Sequence, residues 1–339
     1  MKSLSPRRPT IIDVALRAGV SKSMVSLVMR GVHAVSDEKR RVVLEAAAEL
    51  GYRPNAVARS LVSRRTNLVG VLLSDLRNPF FTDVIDGIEA ESEARGYKTI
   101  ICTASRLASV ERRALDTLLE LRVDGVILAS PMLDTGTITS TSEEVPVVLV
   151  ARHLAGEPID SVSNDDPAGA RLVVEHLAAL GHRCIAHVDG AGGAGADERR
   201  AGYEHAMRAL GLGDQVRAVT GGYTEDGGRA GVQALLESDE PPTAIFVAND
   251  LAALGALSAL SERGIRVPQD VSIVGYDNIS LASVRYINLT TVDQPRPDMG
   301  RSAVSLILDR LASRRREPRH IIVPPRLVVR GTTAPPRAG

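Results

Sequence analysis

Residues 10–30, TIIDVALRAGVSKSMVSLVMR, hold two short helical patterns divided by a glycine, and their reading decides the fold of the N-terminal part. Thr10 with Asp13 three residues on is a capping pair, which satisfies two otherwise unpaired amides at a helix start. Ile11, Val14, Ala15 and Ala18 recur at helical spacing, so one narrow stripe is apolar. Gly19 stops the helix where a left-handed backbone costs least. Ser21 caps a second helix whose Met24, Val25 and Val28 turn back onto the first. Lys22, Ser23, Ser26 and Leu27 are then expected on the outer face, as in a helix-turn-helix whose second helix enters a major groove.

Working outward, residues 1–9, MKSLSPRRP, form a polar, proline-punctuated tail. Its Arg7 and Arg8 are read as solvated, with phosphate contact as the alternative. Ser36, Asp37 and Glu38 mark a third helix start, with acids at the positive end of its dipole. Val42, Val43, Ala46 and Leu50 are its expected buried stripe, and Gly51 ends it. Tyr52-Arg53-Pro54 forces an extended exit. Asn55 then caps a segment to Leu61 that is too short to hold a helix alone, so it folds only when something packs on it. Residues 1–65 carry 13 Lys and Arg against 5 Asp and Glu, although the whole chain is neutral. A basic head on an acidic body suits docking of one end on a polyanion.

From Leu68 the pattern changes. LVGVLL, YKTIIC, DGVILAS and VPVVLV are near-continuous aliphatic runs, the mark of parallel strands covered on both faces. A second series, RCIAHV, RAVTGG, TAIFVAND and VSIVGYD, alternates with helical stretches in the same way. Two successive doubly wound units imply two α/β lobes with a cleft where strand carboxyl ends converge. Cys102 and Cys184 lie in apolar strand-like runs without metal-ligand spacing, so both are expected buried and reduced, as in cytosol. No apolar leader occupies the first thirty residues and no run is long enough to span a bilayer, which predicts a cytoplasmic protein without a membrane partner.

The motifs DVA at 13–15, AGVS at 18–21, VS at 25–26 and GYRPNAVARSL at 51–61 resemble those of the lac repressor/galactose repressor (LacI/GalR) family of bacterial transcription regulators. TAIFVAND, ALGAL, GIRVPQDVSIVGYDN and LTTVDQP extend the resemblance through the body, from about Thr10 to about Leu311. It implies an all-α DNA-binding head over 9–54 and a hinge helix over 55–64. An effector-binding and dimerisation body over 66–330 follows, similar to periplasmic sugar-binding proteins. In that architecture the chain crosses between lobes three times, which gives an N-lobe of about 66–164 plus 295–322 and a C-lobe of about 165–294 plus 323–332. Residues 333–339 are left as a flexible tail. The implied function is a repressor whose operator affinity is set by a small sugar-like effector, acting as a homodimer on double-stranded DNA. Thr10, Ser21, Lys22, Ser23, Ser26 and Leu27 would meet the DNA in the head. In the hinge Asn55 is the cap, Leu61 the apolar wedge in the minor groove and Ala58 its close-packed neighbour. The dimer face is expected on helices near 80–95 and 297–312.

Strand ends supply the cleft candidates. Asn78 caps and Pro79 starts a helix, followed by Phe80 and Phe81, an aromatic platform for the apolar side of a sugar ring. Arg152 follows VPVVLV, Arg199 opens a helix, and Tyr223 offers a second aromatic wall. Asn249 ends TAIFVAND, Asp277 ends VSIVGYD, and Gln294 lies at a lobe crossing. Apart from Tyr223, the cleft candidates Asn78, Phe80, Phe81, Arg152, Arg199, Asn249, Asp277 and Gln294 match the family's ligand shell, and forks, amides and carboxylates around aromatic rings are what vicinal hydroxyls need. Ala151 stands where the family often has an acid, so ribose is not to be assumed. Met24, Leu27 and Arg30 replace the common Thr, Arg and Asn of the recognition helix, which points to an altered operator.

Two rival readings are weaker. Gly190-x-Gly192-x-x-Gly195 after a strand satisfies the dinucleotide fingerprint, but Asp197 and Glu198 stand where a pyrophosphate needs positive potential. A periplasmic sugar-binding protein would share the cleft but should carry a signal peptide in place of the basic head. No catalytic Ser/His/Asp set, paired carboxylates or metal-ligand cluster appears in a convincing frame, and no cofactor is implied.

Overall fold

The computed structural model describes residues 9–29, 35–52, 65–313 and 317–337. The chain divides into a head, residues 1–66, and a body, residues 67–339.

Among the described residues, three helices build the head: α1 (Ile11–Ala18), α2 (Lys22–Met29) and α3 (Asp37–Glu49). Asp13 Oδ2 accepts from the Thr10 backbone N–H at 2.7 Å and from its hydroxyl at 2.8 Å, which fixes the start of α1. Gly19 ends it with φ 64°, and Ser21 Oγ accepts the Met24 N–H at 3.1 Å to start α2. Val14, Ala15, Val25, Val28, Val35, Val43, Ala46 and Ala47 make the core. Ala47 belongs to the α3 stripe, while Val42 and Leu50 are only half-buried. Lys22 and Ser23 are exposed, as an outer face requires. Leu27 departs from expectation: it is half-buried and packs against the head core, and Ser26 beside it is half-buried as well. On a helix of eight residues the apolar stripe simply widens to take in a leucine that has carbon to bury. Arg7, Arg8 and Arg30, with the hinge residues Asn55, Ala58 and Leu61, lie outside the described residues.

The body holds two six-stranded sheets. The N-lobe sheet is built from β1 (Leu68–Leu73), β2 (Lys98–Thr103), β3 (Gly125–Ala129), β4 (Val147–Val150), β5 (Asp160–Asn164) and β11 (His320–Val323), in the order β11-β5-β4-β3-β1-β2. The C-lobe sheet uses β6 (Ile185–Asp189), β7 (Arg217–Thr220), β8 (Ala244–Val247), β9 (Ser272–Asp277), β10 (Thr290–Asp293) and β12 (Arg326–Val328), in the order β12-β10-β9-β8-β6-β7. All pairings are parallel except β10 with β12, which is antiparallel. The strands β3, β4, β8 and β9 are buried at every position, as sheets covered on both faces demand. The edge strand β2 is not, so Cys102 on it is half-buried, and Cys184 at the entry to β6 is half-buried too; both thiols are free.

Helices α4 (Pro79–Ala94), α5 (Ala108–Glu120), α6 (Thr135–Glu144) and α11 (Arg296–Ser313) pack on the N-lobe sheet, and α7 (Asp166–Ala179), α8 (Ala196–Ala209), α9 (Glu225–Leu236) and α10 (Asp250–Glu262) on the C-lobe sheet. Paired helices meet backbone to backbone at glycines. A Cβ on Gly87 of α4 would overlap the Pro297 carbonyl, and one on Gly300 of α11 the Val84 carbonyl; Gly228 and Gly255 play the same part between α9 and α10.

The chain passes from lobe to lobe between β5 and α7, between β10 and α11, and between β11 and β12. The crossings put Asn164, Asp166 and Gln294 at the mid-line of the body. Residues 333–337, expected as a flexible tail, are stitched to the C-lobe. His182 Nε2 lies 2.9 Å from the Ala334 carbonyl, the Ala334 N–H donates to Ser272 Oγ at 3.1 Å, and Arg337 reaches Asp270 at 2.9 Å. His182 is buried between the sheet and this segment, so its ring nitrogens need the partners that the segment supplies.

Candidate ligand-binding cleft

A cleft opens between the lobes, lined by residues of both. Its walls come from strand carboxyl ends of both sheets, and several lining residues hold backbones that favour glycine. Arg106, Ser130, Ala151 and Asp277 have φ of 60°, 50°, 58° and 109°. Side chains other than glycine persist there only where the surroundings over-determine them, and such positions concentrate at binding sites.

On the N-lobe side, Asn78 Oδ1 accepts the Phe80 N–H at 3.0 Å as the α4 cap, so its amide nitrogen is what it offers the cleft. Phe80 and Phe81 sit edge to face with centroids 5.2 Å apart, both buried in the lobe core and both lining the cleft. Asp75 is held by Arg77, whose N–H and Nε donate to Oδ1 at 3.0 and 3.2 Å. Ser74 donates to Glu111 Oε1 at 2.8 Å, and Glu111, fully buried, also accepts the backbone N–H groups of Met132 and Leu133. That carboxylate pins the loop that carries Ser130 and Met132 into the wall.

The C-lobe side centres on Arg199, buried in the first turn of α8. Its Nε and Nη2 both donate to Asp166 Oδ1, at 3.1 and 2.7 Å, and its Nη1 donates to the Ala248 carbonyl. The guanidinium lies 3.6 Å from the centroid of Tyr276 and 5.8 Å from that of Tyr223. Burial works against the charge, but Asp166 and the neighbouring acids outweigh it and hold Arg199 firmly protonated. Asn249 Oδ1 caps α10 through the Ala252 N–H at 2.8 Å. Asp277 receives Gln294 Nε2 at 2.6 Å across the crossing from β10. Burial pushes the Asp277 carboxyl up to about 6, against the pull of Arg199, Arg296 and Gln294. Behind it Asp250 accepts the Ile279 N–H and the Thr291 hydroxyl, and is pushed up to about 8 by burial and by the charge of Asp277.

The glycine run has a local use that needs no nucleotide. Gly190 and Gly193 leave no room for a Cβ because the Tyr223 ring packs on their backbone, and the Tyr223 hydroxyl donates to the Ala194 carbonyl at 2.8 Å. Gly195 makes the same allowance for Asp166. The loop therefore wraps an aromatic wall and a carboxylate of the cleft.

Of the residues named from sequence, Asn78, Phe80, Phe81, Arg199, Tyr223, Asn249, Asp277 and Gln294 line the cleft. Arg152 does not: its Nη1 donates to the carbonyls of Pro131 and Leu133 at 2.7 and 2.9 Å, so it braces the β3 exit loop while Ala151 faces the cleft. Asp166, Asn164 and Arg106 were missed. Asp166 stood in view as the second acid of SNDDP, but β5 before it has too few apolar residues to be read as a strand.

Comparison with known proteins agrees with this geometry. Residues 10–55 match the model for bacterial regulatory proteins of the lacI family, and residues 174–333 match a periplasmic binding protein-like domain. The chain is 34% identical over 327 residues to the HTH-type transcriptional repressor PurR of Vibrio atlanticus, an alignment that covers 95% of this chain and 98% of the relative. It is 38% identical over 309 residues to catabolite control protein A of Priestia megaterium, covering 88% and 91%. Among solved structures, the lac repressor dimer bound to operator and the anti-inducer ONPF superposes with a TM-score of 0.86 at 32% identity, covering 97% of this chain and all of that one.

Proposed function

Because the chain belongs to the lacI family of bacterial regulatory proteins and is a DNA-binding transcriptional regulator rather than an enzyme, we propose that it is a cytoplasmic, homodimeric repressor controlled by a sugar or polyol bound between its lobes. The observation that carries the effector half of this reading is the pairing of Arg199 and Asp166 with Asp277 and Gln294 around one cleft, beside the Phe80 and Phe81 rings. Carboxylates there accept from hydroxyls, the guanidinium and the cap amides donate to them, and the rings take the C–H face of a sugar.

In the head, we assign DNA contact to Lys22 and Ser23 on the exposed side of α2, to Ser21 at its cap and to Thr10 at the start of α1. Leu27 contributes a partly covered methyl edge at most, which fits contact with a thymine methyl and not with guanine. Asn55, Ala58 and Leu61 are assigned to the hinge on the family motif alone. One head reads one half-site, so a two-fold dimer on a near-palindromic operator follows.

Ligand in the cleft would change the angle between lobes and with it the spacing of the paired hinges. Selection of sequences from a random duplex library by the purified full-length protein, at stated salt, tests the DNA half. An enriched near-palindrome with a central pyrimidine–purine step is expected. Titration of the selected duplex with a panel of monosaccharides and alditols tests the other half, and at least one must shift the affinity. A selected operator whose affinity no member of the panel changes would overturn the polyol reading and leave the repressor standing.

A further inference from the structure

The crossing between β5 and α7 carries a side chain that the roles above do not absorb. Asn164 ends β5, lines the cleft and is only 7% exposed. Its Nδ2 donates to the Tyr276 hydroxyl and lies 3.4 Å from Asp166 Oδ1. Its Oδ1 is buried and has no hydrogen-bond partner. Leaving a buried carbonyl oxygen unsatisfied is unfavourable, and in a ligand cleft the missing donor is one that the ligand can bring.

The neighbours of the amide decide which of its ends is free. Turned over, Asn164 would set its carbonyl oxygen against the Asp166 carboxylate, two acceptors facing each other. Tyr276 cannot withdraw to accommodate that: the α7 backbone at Gly169 leaves no room for even a Cβ beside its hydroxyl, and Arg199 covers its ring. Asn78 and Asn249 have the opposite polarity. Their Oδ1 atoms are used as helix caps, so they present donors, whereas Asn164 presents an acceptor.

We infer that Asn164 accepts a hydrogen bond from one hydroxyl of the bound ligand and so makes the site discriminate against ligands that lack a donor at that position. The inference rests on the polyol reading of the cleft, and it adds that deoxy or O-methyl forms at one particular carbon are rejected.

The test is calorimetric titration of the full-length protein with pentoses, hexoses and their alditols, followed by the monodeoxy analogues of whichever binds. One analogue should bind roughly tenfold to a hundredfold more weakly than its parent. In Asn164→Ala that one penalty should vanish while the penalties at other carbons persist. A general weakening from altered packing would not produce this pattern. Asn164→Leu, which likewise lacks the acceptor, repeats the measurement should the alanine variant not fold. Binding with every deoxy penalty unchanged in Asn164→Ala overturns the inference and leaves the polyol site intact. Absence of binding by any sugar or alditol overturns the polyol reading, and this inference with it.

Discussion

Asp277 stands at the end of β9 with φ 109°, between Gln294 on one crossing and Arg199 on α8. With its carboxyl pushed up to about 6, the ionised form that accepts from a hydroxyl is complete only above neutral pH. Hydroxyls that donate to the carboxylate favour that form, so effector affinity should fall as pH drops through about 6, and Asp277→Asn should flatten the profile; calorimetry between pH 5 and 8 reads both. Asp250 behind it acts on stability instead. Its folded value, about 8, lies above the ordinary 3.8, so its contribution is full near pH 4 and is lost as pH rises towards 8. Replacing it with Asn, which keeps an acceptor without the charge, should remove a pH-dependent loss on the order of a few kcal/mol between those limits, measured by urea unfolding. Breaking the buried Arg199–Asp166 pair from one side, as in Arg199→Met, should cost roughly 3–5 kcal/mol, because it leaves a carboxylate without its counter-charge. Asn249 and Asp277 were legible in the sequence for a shared reason: each closes an apolar strand run, where a polar residue has to be at the strand's carboxyl end. Asn164 ends and Asp166 follows DSVSN, a strand whose buried Asp160 is met by Arg310 and the Arg319 N–H, groups some 150 residues away, and no local pattern reveals that. Arg152 shows the converse limit, since a strand-end arginine satisfied by two loop carbonyls looks the same in sequence as one that waits for a ligand.

At the scale of elements, the helix pairs over the sheets depend on absent side chains. Gly300→Ala should drive α11 away from the Val84 carbonyl and destabilise the body by about 1–3 kcal/mol or more, with Gly228→Ala a parallel case against Ala252; a lowered urea midpoint at unchanged slope is the expected result. A midpoint equal to that of the parent would mean that the helices have slack the backbone contacts deny. Most strands and helices were readable because aliphatic runs alternate with amphipathic ones. α6 was not, because TGTITSTSEE lacks helix formers, and its hydroxyls turn back onto carbonyls three and four residues earlier. β12 hides for a different reason: three residues, half exposed and antiparallel, leave little periodicity to read.

For the molecule as a whole, a repressor with a ligand cleft is bound by linkage. Whatever factor the effector imposes on operator affinity, operator must impose on effector affinity, and titrating the effector with and without duplex should return the same ratio. The 13 cationic residues of the first 65 also predict that operator affinity falls steeply with salt, whereas affinity for an uncharged effector would not. The three crossings described above bear, finally, on how such a chain is made. Neither lobe is finished by a continuous stretch: the N-lobe sheet waits for β11 at 320–323, and the C-lobe sheet for β12 at 326–328 and the stitch at 333–337. Until residues 320–328 are in place each sheet lacks a strand, and the β5 and β10 edges stand open. Neither sheet can be completed before most of the other has been made, so these two edges have to be kept from edge-to-edge association until their last strands arrive.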